Sequence, residues 1–431
     1  MSEKMQDIQT NDQKTPLKHL PIISVIIFLV SLFLLFFVFK RIVFVPKILM
    51  LLIIIFVALL LDRLKLFIRE WFIFVSFIYL FDSLRGIVYI LTCRLELPVY
   101  TTYVIKMEQF LFGGIPSVWI QNRLLPIDKF PTFSFLEKFI TVLHGSHFVA
   151  FLLIGFIIWF YKSHYFKFFR TSFYFIIFLG ISGYMIVPTV PPWMASELFN
   201  IIPRIIRFNR VLYNIAIPDI SSGFDPNPIA AMPSLHAAFP ILCSLIMIRV
   251  YRWKSLPFHF YTLFVFFSIV YTGDHYIVDI LAGMLLAGVC YLLAMKLEKI
   301  PSEQQIEKES ISKKEESSPK KLAIPLIIGG LILILGIAVG NYNKREFKYN
   351  YLSYLIYVPK YVDLLSHEED YEQNYSVQYY FASHHLVKGD LRKALLYFEH
   401  TLTLADNEKD RDKAQKGVDL CNKLLLKQNG Q

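Results

Sequence analysis

The chain has 431 residues, of which 55% are hydrophobic and 16% aromatic, and it carries a net charge of +10. With a mean hydropathy of +0.48, this composition excludes an ordinary soluble domain and is typical of a protein that crosses a membrane several times. The positive charge then belongs to loops that face anionic lipid. We expect no nucleic-acid partner, because no basic and aromatic surface strip lies outside the apolar runs.

Nine apolar runs are long enough, at about 20 residues, to cross a bilayer as helices. We therefore predict an all-α fold, a polytopic membrane helical bundle. The first run is longer than the apolar core of a signal peptide and lacks the small residues of a cleavage site, so we predict an uncleaved anchor. The predicted spans are 20–40, 42–61, 71–93, 139–160, 171–190, 234–251, 256–273, 275–295 and 323–341.

These spans divide the chain into five predicted regions. Residues 1–70 are a cytosolic stub with two extra spans, and 71–295 form a six-span domain. Residues 296–322 are a charged linker, too poor in apolar side chains to bury a core. The ninth span, 323–341, leads into a soluble tail, 342–431.

Lys and Arg are concentrated in the N-terminal segment, in the linker and in the loops on the same side of the membrane. The positive-inside bias therefore predicts a cytosolic N-terminus. The loop before His236 then faces the periplasm, lumen or exterior. The tail lies on that same outer side, because the number of spans is odd.

Within the tail, the segment HHLVKGDLRKALLYFEHTLTLADN (384–407) has Gly389 before Ala394 and Phe398. This pattern resembles one tetratricopeptide-type helical hairpin, and a short amphipathic helical pair explains it equally well. Both interpretations predict two helices, and the first predicts a protein partner for the tail.

One polar cluster lies in AAMPSLHAAFP (230–240), where His236 stands at the start of an apolar run. Ionisable groups at membrane depth are costly, so they are functional candidates. Pro233 suits the first turn of a helix, and Ser234 with the neighbouring N–H groups then forms an anion-binding helix start. The sequence therefore predicts a phosphate or carboxylate site beside this histidine.

A second cluster lies in YTGDHYIVDILAG (271–283). We predict Asp274 as the N-cap of the next helix, with His275 in its first turn. Asp279 follows one turn later, where a carboxylate can accept the imidazole N–H and fix the tautomer. Because one span runs inward from His236 and the next returns, both histidines are predicted on the same face at the same depth.

Two histidines beside an anion pocket favour phosphoryl transfer through a phosphohistidine. One alternative is that each histidine only satisfies a local hydrogen bond. A metal site of His236, His275, Asp274 and Asp279 is a weaker alternative, because a third histidine and cysteine ligands are missing from these motifs. We expect no metal and no cofactor. The four cysteines form no CxxC pair and are predicted to be core residues.

Five further residues are predicted to bind substrate. Arg85 follows Asp82 by one turn in an apolar span, as a phosphate clamp or a structural ion pair. His147, in HGSH (144–147), either lines the pocket or caps a helix. Trp193 lies at the membrane interface or over a head group. Gln121, with Arg123 in GGIPSVWIQNRLL (113–125), belongs to a predicted re-entrant or interfacial helix.

PSLH (233–236) and GDHYIVDILAG (273–283) resemble the second and third motifs of the type-2 phosphatidic acid phosphatase superfamily. The Leu in PSLH and the Tyr after His275 are more similar to the branch of inositol phosphorylceramide synthases and aureobasidin-resistance proteins. Over residues 70–295, the resemblance implies a six-span core that needs no metal. It also implies His275 as nucleophile, Asp279 as its orienting partner and His236 as general acid.

The sequence departs from the phosphatases of that superfamily at two places. Ser268 matches the start of their third motif, but Ile269 replaces the arginine that follows, and their first motif is absent. This favours a transferase that moves a phospho-head-group from a phospholipid or sphingolipid donor to an alcohol. A lipid-phosphate phosphatase that uses water is the close alternative. Two alternatives come from other functional classes. The protein is an ion-coupled transporter, or its tail is a docking module attached to a degenerate membrane domain.

Overall fold

The computed structural model describes residues 54–58, 63–125, 133–216, 227–298, 319–350, 360–366 and 368–429. In chain order the elements are α1 (Leu64–Arg94), β1 (Pro98–Val99), α2 (Thr102–Phe112), α3 (Pro116–Leu124), α4 (Phe135–Tyr161), α5 (Phe166–Ile186), α6 (Pro192–Glu197), α7 (Phe208–Ala216), α8 (Leu235–Tyr251), α9 (Leu256–Tyr271), α10 (Ile277–Leu297), α11 (Pro319–Asn350), β2 (Lys360–Tyr361), α12 (Val362–Leu365), α13 (Tyr375–Val387), α14 (Leu391–Leu404) and α15 (Glu408–Asn429).

Five helical stretches in the described part of the chain are long and apolar enough to cross a membrane. One of them, Leu235–Tyr271, consists of α8 and α9, which are joined by a 3-10 turn at Arg252–Ser255 and pack against each other. Among the described residues, the membrane body therefore has six helices: α1, α4, α5, α8, α9 and α10. This confirms the predicted all-α, multi-pass membrane bundle.

Two predicted spans, 20–40 and 42–61, lie outside the described residues apart from 54–58. Most of the predicted linker, residues 299–318, also lies outside them. The ninth span, predicted at 323–341, falls within α11, which is 32 residues long. The division of the chain into five regions stays a prediction.

The long helix α11 runs parallel to α1. Gly329 lies against Phe72 and Gly336 against Tyr79, so contacts advance along both helices in the same direction. Near the ends of both helices, Nη1 of Arg94 donates to the Tyr342 hydroxyl at 2.9 Å. The chain after α11 therefore reaches the end of the bundle at which α1 finishes.

An aromatic core fills the middle of the bundle. The indole of Trp71 stacks on Phe166 at 4.8 Å between ring centroids, and the core continues through Phe173 to Phe239. Phe239 also lies 5.3 Å from Phe151. Because Phe239 is one turn after His236 in α8, this rigid core forms the floor beneath the polar clusters.

Loops at the end of the bundle where α1 finishes form a small parallel ladder. It comprises residues 98–100, 188–190, 229–231 and 360–361, and we call it the outer ladder. The N–H of Tyr100 donates to Pro188 at 2.9 Å, and that of Thr189 donates to Ile229 at 2.8 Å. The segment 229–231 leads directly into PSLH, so the ladder fixes where α8 begins.

The tail folds into α13, α14 and α15, which pack on one another around Phe398 and Cys421. The predicted hairpin at 384–407 turns at Gly389, whose φ of +79° lies in the left-handed region that favours glycine. The tetratricopeptide likeness and a protein partner for the tail stay predictions. The four cysteines are all buried and free, as predicted.

Gly283 lets α10 approach the start of α8. A Cβ atom at this position would lie 2.3 Å from the carbonyl oxygen of Ser234. Such a contact forces the two helix segments apart. Gly288, on the same helix, has open space at the equivalent place.

We predict that Gly283→Ala lowers the thermal stability of the detergent-solubilised protein, because overpacking at a tight contact costs about 1–3 kcal/mol. Gly288→Ala is the matched control and should leave the melting temperature unchanged or raise it, because alanine favours the helix. Equal melting temperatures for the two variants would contradict the close approach of α10 to Ser234.

Candidate active site

The two predicted histidines are neighbours in the structure. Nδ1 of His236 lies 2.7 Å from Nε2 of His275, and the ring centroids are 4.9 Å apart. His275 is buried and His236 is half-buried. The topology of α8 and α9 thus brings together groups that are 39 residues apart in sequence.

Asp279 stands behind His275. Its Oδ2 lies 3.4 Å from Nδ1 of His275 and accepts a hydrogen bond from the N–H of Tyr276 at 2.9 Å. The first of these contacts is long, as such bonds commonly are before substrate binds. A proton on Nδ1 of His275 leaves its Nε2 as an acceptor, so Nδ1 of His236 is the donor of the bond between the two rings.

The turn before α10 differs from the prediction. The helix begins at Ile277, so Asp274 is not its N-cap and His275 precedes its first turn. Gly273 makes this turn with φ +74°, and a side chain there would collide with Ile205. The N-cap prediction was wrong because Asp274 is bound by side chains from elsewhere in the chain.

Four groups converge on the buried carboxylate of Asp274. Nε of Arg207 lies 2.6 Å from Oδ1, and the amide of Asn209 and the hydroxyl of Thr272 each donate to Oδ2 at 2.8 Å. Nε2 of His144 lies 3.1 Å from Oδ2. Burial alone raises the pKa of a carboxyl, but the Arg207 and His144 partners hold the pKa of Asp274 well below its ordinary value. The carboxylate therefore stays charged and anchors Arg207.

His144 and His147 extend the pair into a cluster of four imidazoles. The His147 ring centroid lies 4.5 Å from that of His236, and the His144 ring stacks on His236 at 5.5 Å. Nδ1 of His147 contacts the His144 carbonyl oxygen. His147, which was predicted either to line the pocket or to cap a helix, therefore lies beside His236.

Arg207 was not predicted from the sequence. Its guanidinium lies 4.5 Å above the ring of Trp193, with 16% of the side chain exposed. Stacking on an aromatic face and pairing with a carboxylate both hold a guanidinium in a fixed orientation. The only sequence signal is a basic residue in an outer loop, which many loops share.

Gln121 holds the loop that carries Arg207. Its Oε1 accepts from the N–H of Ile206 at 2.8 Å, and its Nε2 donates to the carbonyl oxygens of Ile206 and Tyr271 at 2.9 and 2.7 Å. The side chain is fully buried. These bonds position the loop, and the predicted head-group contact of Gln121 stays a prediction. Arg123, two residues on, is exposed.

Ser234 has a capping role in the structure. Its Oγ accepts from the N–H of Ala237 at 3.3 Å, as an N-cap does, and its own N–H donates to the Asp279 carbonyl at 3.0 Å. The second bond ties PSLH to the motif of His275. The predicted contact of Ser234 with substrate stays a prediction.

Arg85 and Asp82 lie on α1, at a distance in sequence from the clusters. Phe81 of this helix lies 6.1 Å from Phe239, ring to ring. One turn further along α1, Arg85 is partly buried and is on the same helix face as Phe81. This places Arg85 at the level of His236, and the clamp role and the pairing with Asp82 stay predictions.

Glu108, on α2, was likewise not predicted from the sequence. Its Oε1 accepts from the N–H of Val278 at 2.8 Å, and its side chain is fully buried. Burial, together with the charge of Asp279, raises the pKa of the Glu108 carboxyl to about 7. A buried carboxyl thus supports the first turn of α10, next to Asp279.

Across the described ranges, no group of three or more His, Cys, Asp or Glu side chains is arranged to hold a metal ion. The geometry therefore gives no support to the metal alternative. The expectation of a metal-free site stays a prediction.

Comparison with known proteins agrees with the two motifs. Residues 131–293 match the model of the PAP2 superfamily, and this range includes both histidines and Asp279. The inositol phosphorylceramide synthase catalytic subunit aur1 of Schizosaccharomyces pombe is 24% identical over 254 residues, which are 54% of this chain and 58% of that protein. The phosphoinositol dihydroceramide synthase of Bacteroides thetaiotaomicron is 30% identical over 125 residues, which are 27% and 41%.

The chain spans about half the length of these curated relatives. No solved structure matches it. The family match and the names of the two relatives confirm the resemblance to this superfamily and to its inositol phosphorylceramide synthase branch.

We predict that Arg207→Gln weakens binding of inorganic vanadate, a phosphate mimic, about tenfold to a hundredfold, because a charged hydrogen-bond donor is lost. The affinity of Arg207→Lys for vanadate should lie between those of the wild type and Arg207→Gln, because lysine keeps the charge but lacks the planar guanidinium. Arg204→Gln, at an exposed position in the same loop, is the control and should bind as the wild type does. Calorimetric titration measures this, and unchanged affinity in Arg207→Gln would contradict an anion site beside Arg207.

Proposed function

We propose that this chain, as a member of the PAP2 superfamily through residues 131–293, is an integral-membrane phosphotransferase. It moves a phospho-head-group from a phospholipid or sphingolipid donor to an alcohol acceptor. The observation that carries the proposal is the His236–His275 contact at 2.7 Å, with Asp279 behind His275. The two nitrogens are in direct contact, so the rings separate to admit a phosphorus atom, and each ring can then act on one side of it.

In the first step His275 is the nucleophile. Its Nε2 attacks phosphorus and forms an N–P bond, while the P–O bond to the lipid part of the donor breaks. His236 enters this step as the imidazolium, and its Nδ1 proton goes to the leaving oxygen, which leaves the neutral ring. Asp279 holds the Nδ1 proton of His275 and stabilises the positive charge that the ring acquires. The phosphorus takes the place of the hydrogen bond that joins the rings in the resting site.

The second step reverses these roles. The acceptor hydroxyl gives its proton to Nδ1 of His236, and its oxygen attacks phosphorus. The N–P bond breaks, and His275 returns to its resting form. The products are a new phosphodiester and the alcohol released in the first step.

Positive charge at the phosphate comes from Arg207 and Arg85 in this proposal. Arg207 is fixed by Asp274 and Trp193, and it replaces the arginine that the phosphatase members have at the position of Ile269. Ile269 is fully buried in an apolar cluster. Cations that are fixed before the reaction stabilise the equatorial oxygens without reorganisation. Ser234, His147, Gln121 and Trp193 complete the proposed substrate pocket.

We place the site on the non-cytosolic side of the membrane, with a cytosolic N-terminus. The distribution of Lys and Arg among the loops supports this orientation. The clustered histidines at one end of the bundle are unlike the polar groups of a transporter, which are spread through the membrane depth. The transporter alternative is therefore less well supported.

Hydrolysis is the second candidate reaction, since water can replace the alcohol in the second step. Two observations favour transfer. Both relatives are named as synthases. The sequence also lacks the arginine of the phosphatase motif at Ile269.

We predict that the purified protein, given phospholipids with a labelled phosphate and ceramide or diacylglycerol, forms a labelled lipid phosphodiester. His275→Ala and His236→Ala should each lower the rate about a hundredfold or more, because nucleophile and general acid are lost. His259→Ala is the control, since His259 bonds Ser255 at the opposite end of α9. A labelled, water-soluble head-group phosphate as the sole product would indicate the hydrolase, and full activity of His275→Ala would refute both.

A further inference from the structure

The tail touches the loops that hold the site. β2 pairs in parallel with β1, Pro98 opposite Lys360 and Val99 opposite Tyr361, so the tail supplies the edge segment of the outer ladder. The amide of Asn374 donates to the Phe199 carbonyl at 2.8 Å. The tail is therefore packed onto the membrane body at more than one place.

Asp363 makes the most concentrated set of these contacts. Its Oδ2 accepts from the N–H groups of Thr101, Thr102 and Tyr103, the first at 2.7 Å and the third at 3.3 Å, and from the Thr102 hydroxyl at 3.0 Å. These donors form the N-terminus of α2, where a negative charge also complements the helix dipole. One carboxylate from the tail thus fixes the start of α2.

The helix α2 in turn contacts the motif of His275. Glu108 is less than two turns after Thr102, and its carboxylate accepts from the N–H of Val278. Val278 lies between His275 and Asp279 in sequence, in the first turn of α10. It shares a buried apolar cluster with Tyr361 and Leu364 of the tail. The route from Asp363 to Asp279 therefore consists of the contact with the start of α2, the short helix α2 itself, and the hydrogen bond from Val278 to Glu108.

We infer that residues 360–366 are a built-in positioning element of the active site, with Asp363 as its principal residue. It acts through α2 and Glu108 to set the first turn of α10, and with it the geometry of Asp279 and His275. The inference rests on the proposed function for its kinetic consequence. Asp363 touches no reacting group, so its role is positioning.

In the full-length protein, Asp363→Ala should lower kcat about tenfold with little change in KM for the lipid donor, because misplaced catalytic groups slow chemistry more than binding. Asp363→Asn keeps an acceptor oxygen and should restore much of the loss. Asp390→Ala is the matched control. Asp390 caps α14 of the same tail, where Oδ1 accepts from the N–H of Lys393 at 3.3 Å, and its loss should leave kcat unchanged.

Hydrogen–deuterium exchange provides a readout that does not depend on turnover. Exchange at the Val278 amide should rise in Asp363→Ala and stay at the wild-type level in Asp390→Ala. If exchange at Val278 is the same in Asp363→Ala and the wild type, the inference is wrong. If wild type transfers no phospho-head-group but exchange at Val278 still responds to Asp363, the proposed function fails and the positioning link stands.

A double-mutant cycle tests the route. If Asp363 acts through Glu108, the variant carrying both Asp363→Ala and Glu108→Gln should have a kcat no lower than the slower single variant. Multiplied losses would show that the two residues act independently and would overturn the inference. If Asp363→Ala folds poorly, the cycle is repeated with Asp363→Asn in its place, and the expected result is the same.

Discussion

The geometry of the site depends on one contact between two segments of the chain. The N–H of Ser234 donates to the carbonyl oxygen of Asp279, and Gly283 leaves room for that approach. His236 is two residues after the donor, and His275 is four residues before the acceptor. This backbone hydrogen bond joins the two segments that carry the imidazoles. The aromatic core around Phe239 supports it from below, and the outer ladder fixes the chain that enters PSLH.

Two buried carboxyl groups hold the charged and polar groups around the histidines in place, in roles that the sequence did not predict. Asp274 holds Arg207 and lies beside His144, and Glu108 supports the first turn of α10. Both are buried, so each is strongly coupled to its partners. In the proposed mechanism the loop of Arg207 supplies the cation that the phosphatase members of the superfamily carry in their third motif. The proposed reaction therefore uses a different source of positive charge from theirs.

The sequence predicted those parts of the site that depend on local spacing and on span order. His275 and Asp279 are one helical turn apart, and the return of α9 places His236 beside them. It did not predict contacts set by tertiary packing. Asp274 meets Arg207 across 67 residues, and Gln121 meets Ile206 across 85. Polar residues in loops carry no periodic signal that identifies such partners, which is why Asp274 was assigned to a helix cap.

The tail illustrates the same limit. Its helices follow from amphipathic spacing and the turn at Gly389, but its attachment to the membrane body does not. Asp363 contacts α2 across 261 residues. Span order predicted the side on which the tail lies, and the parallel packing of α11 on α1 gives the tail the same side as the loop after α1. The side of the tail was therefore predictable from the sequence, but its direct contact with the loops of the site was not.

In the proposed mechanism, His275 carries the phospho-head-group between donor and acceptor. Mass spectrometry of the protein, incubated with a phospholipid donor in the absence of acceptor and kept at alkaline pH, tests this directly. We expect the peptide that contains His275 to gain the mass of the phospho-head-group, and the corresponding peptide of His275→Ala to remain unmodified. An adduct on another residue, or product formation with His275 never modified, would contradict the account.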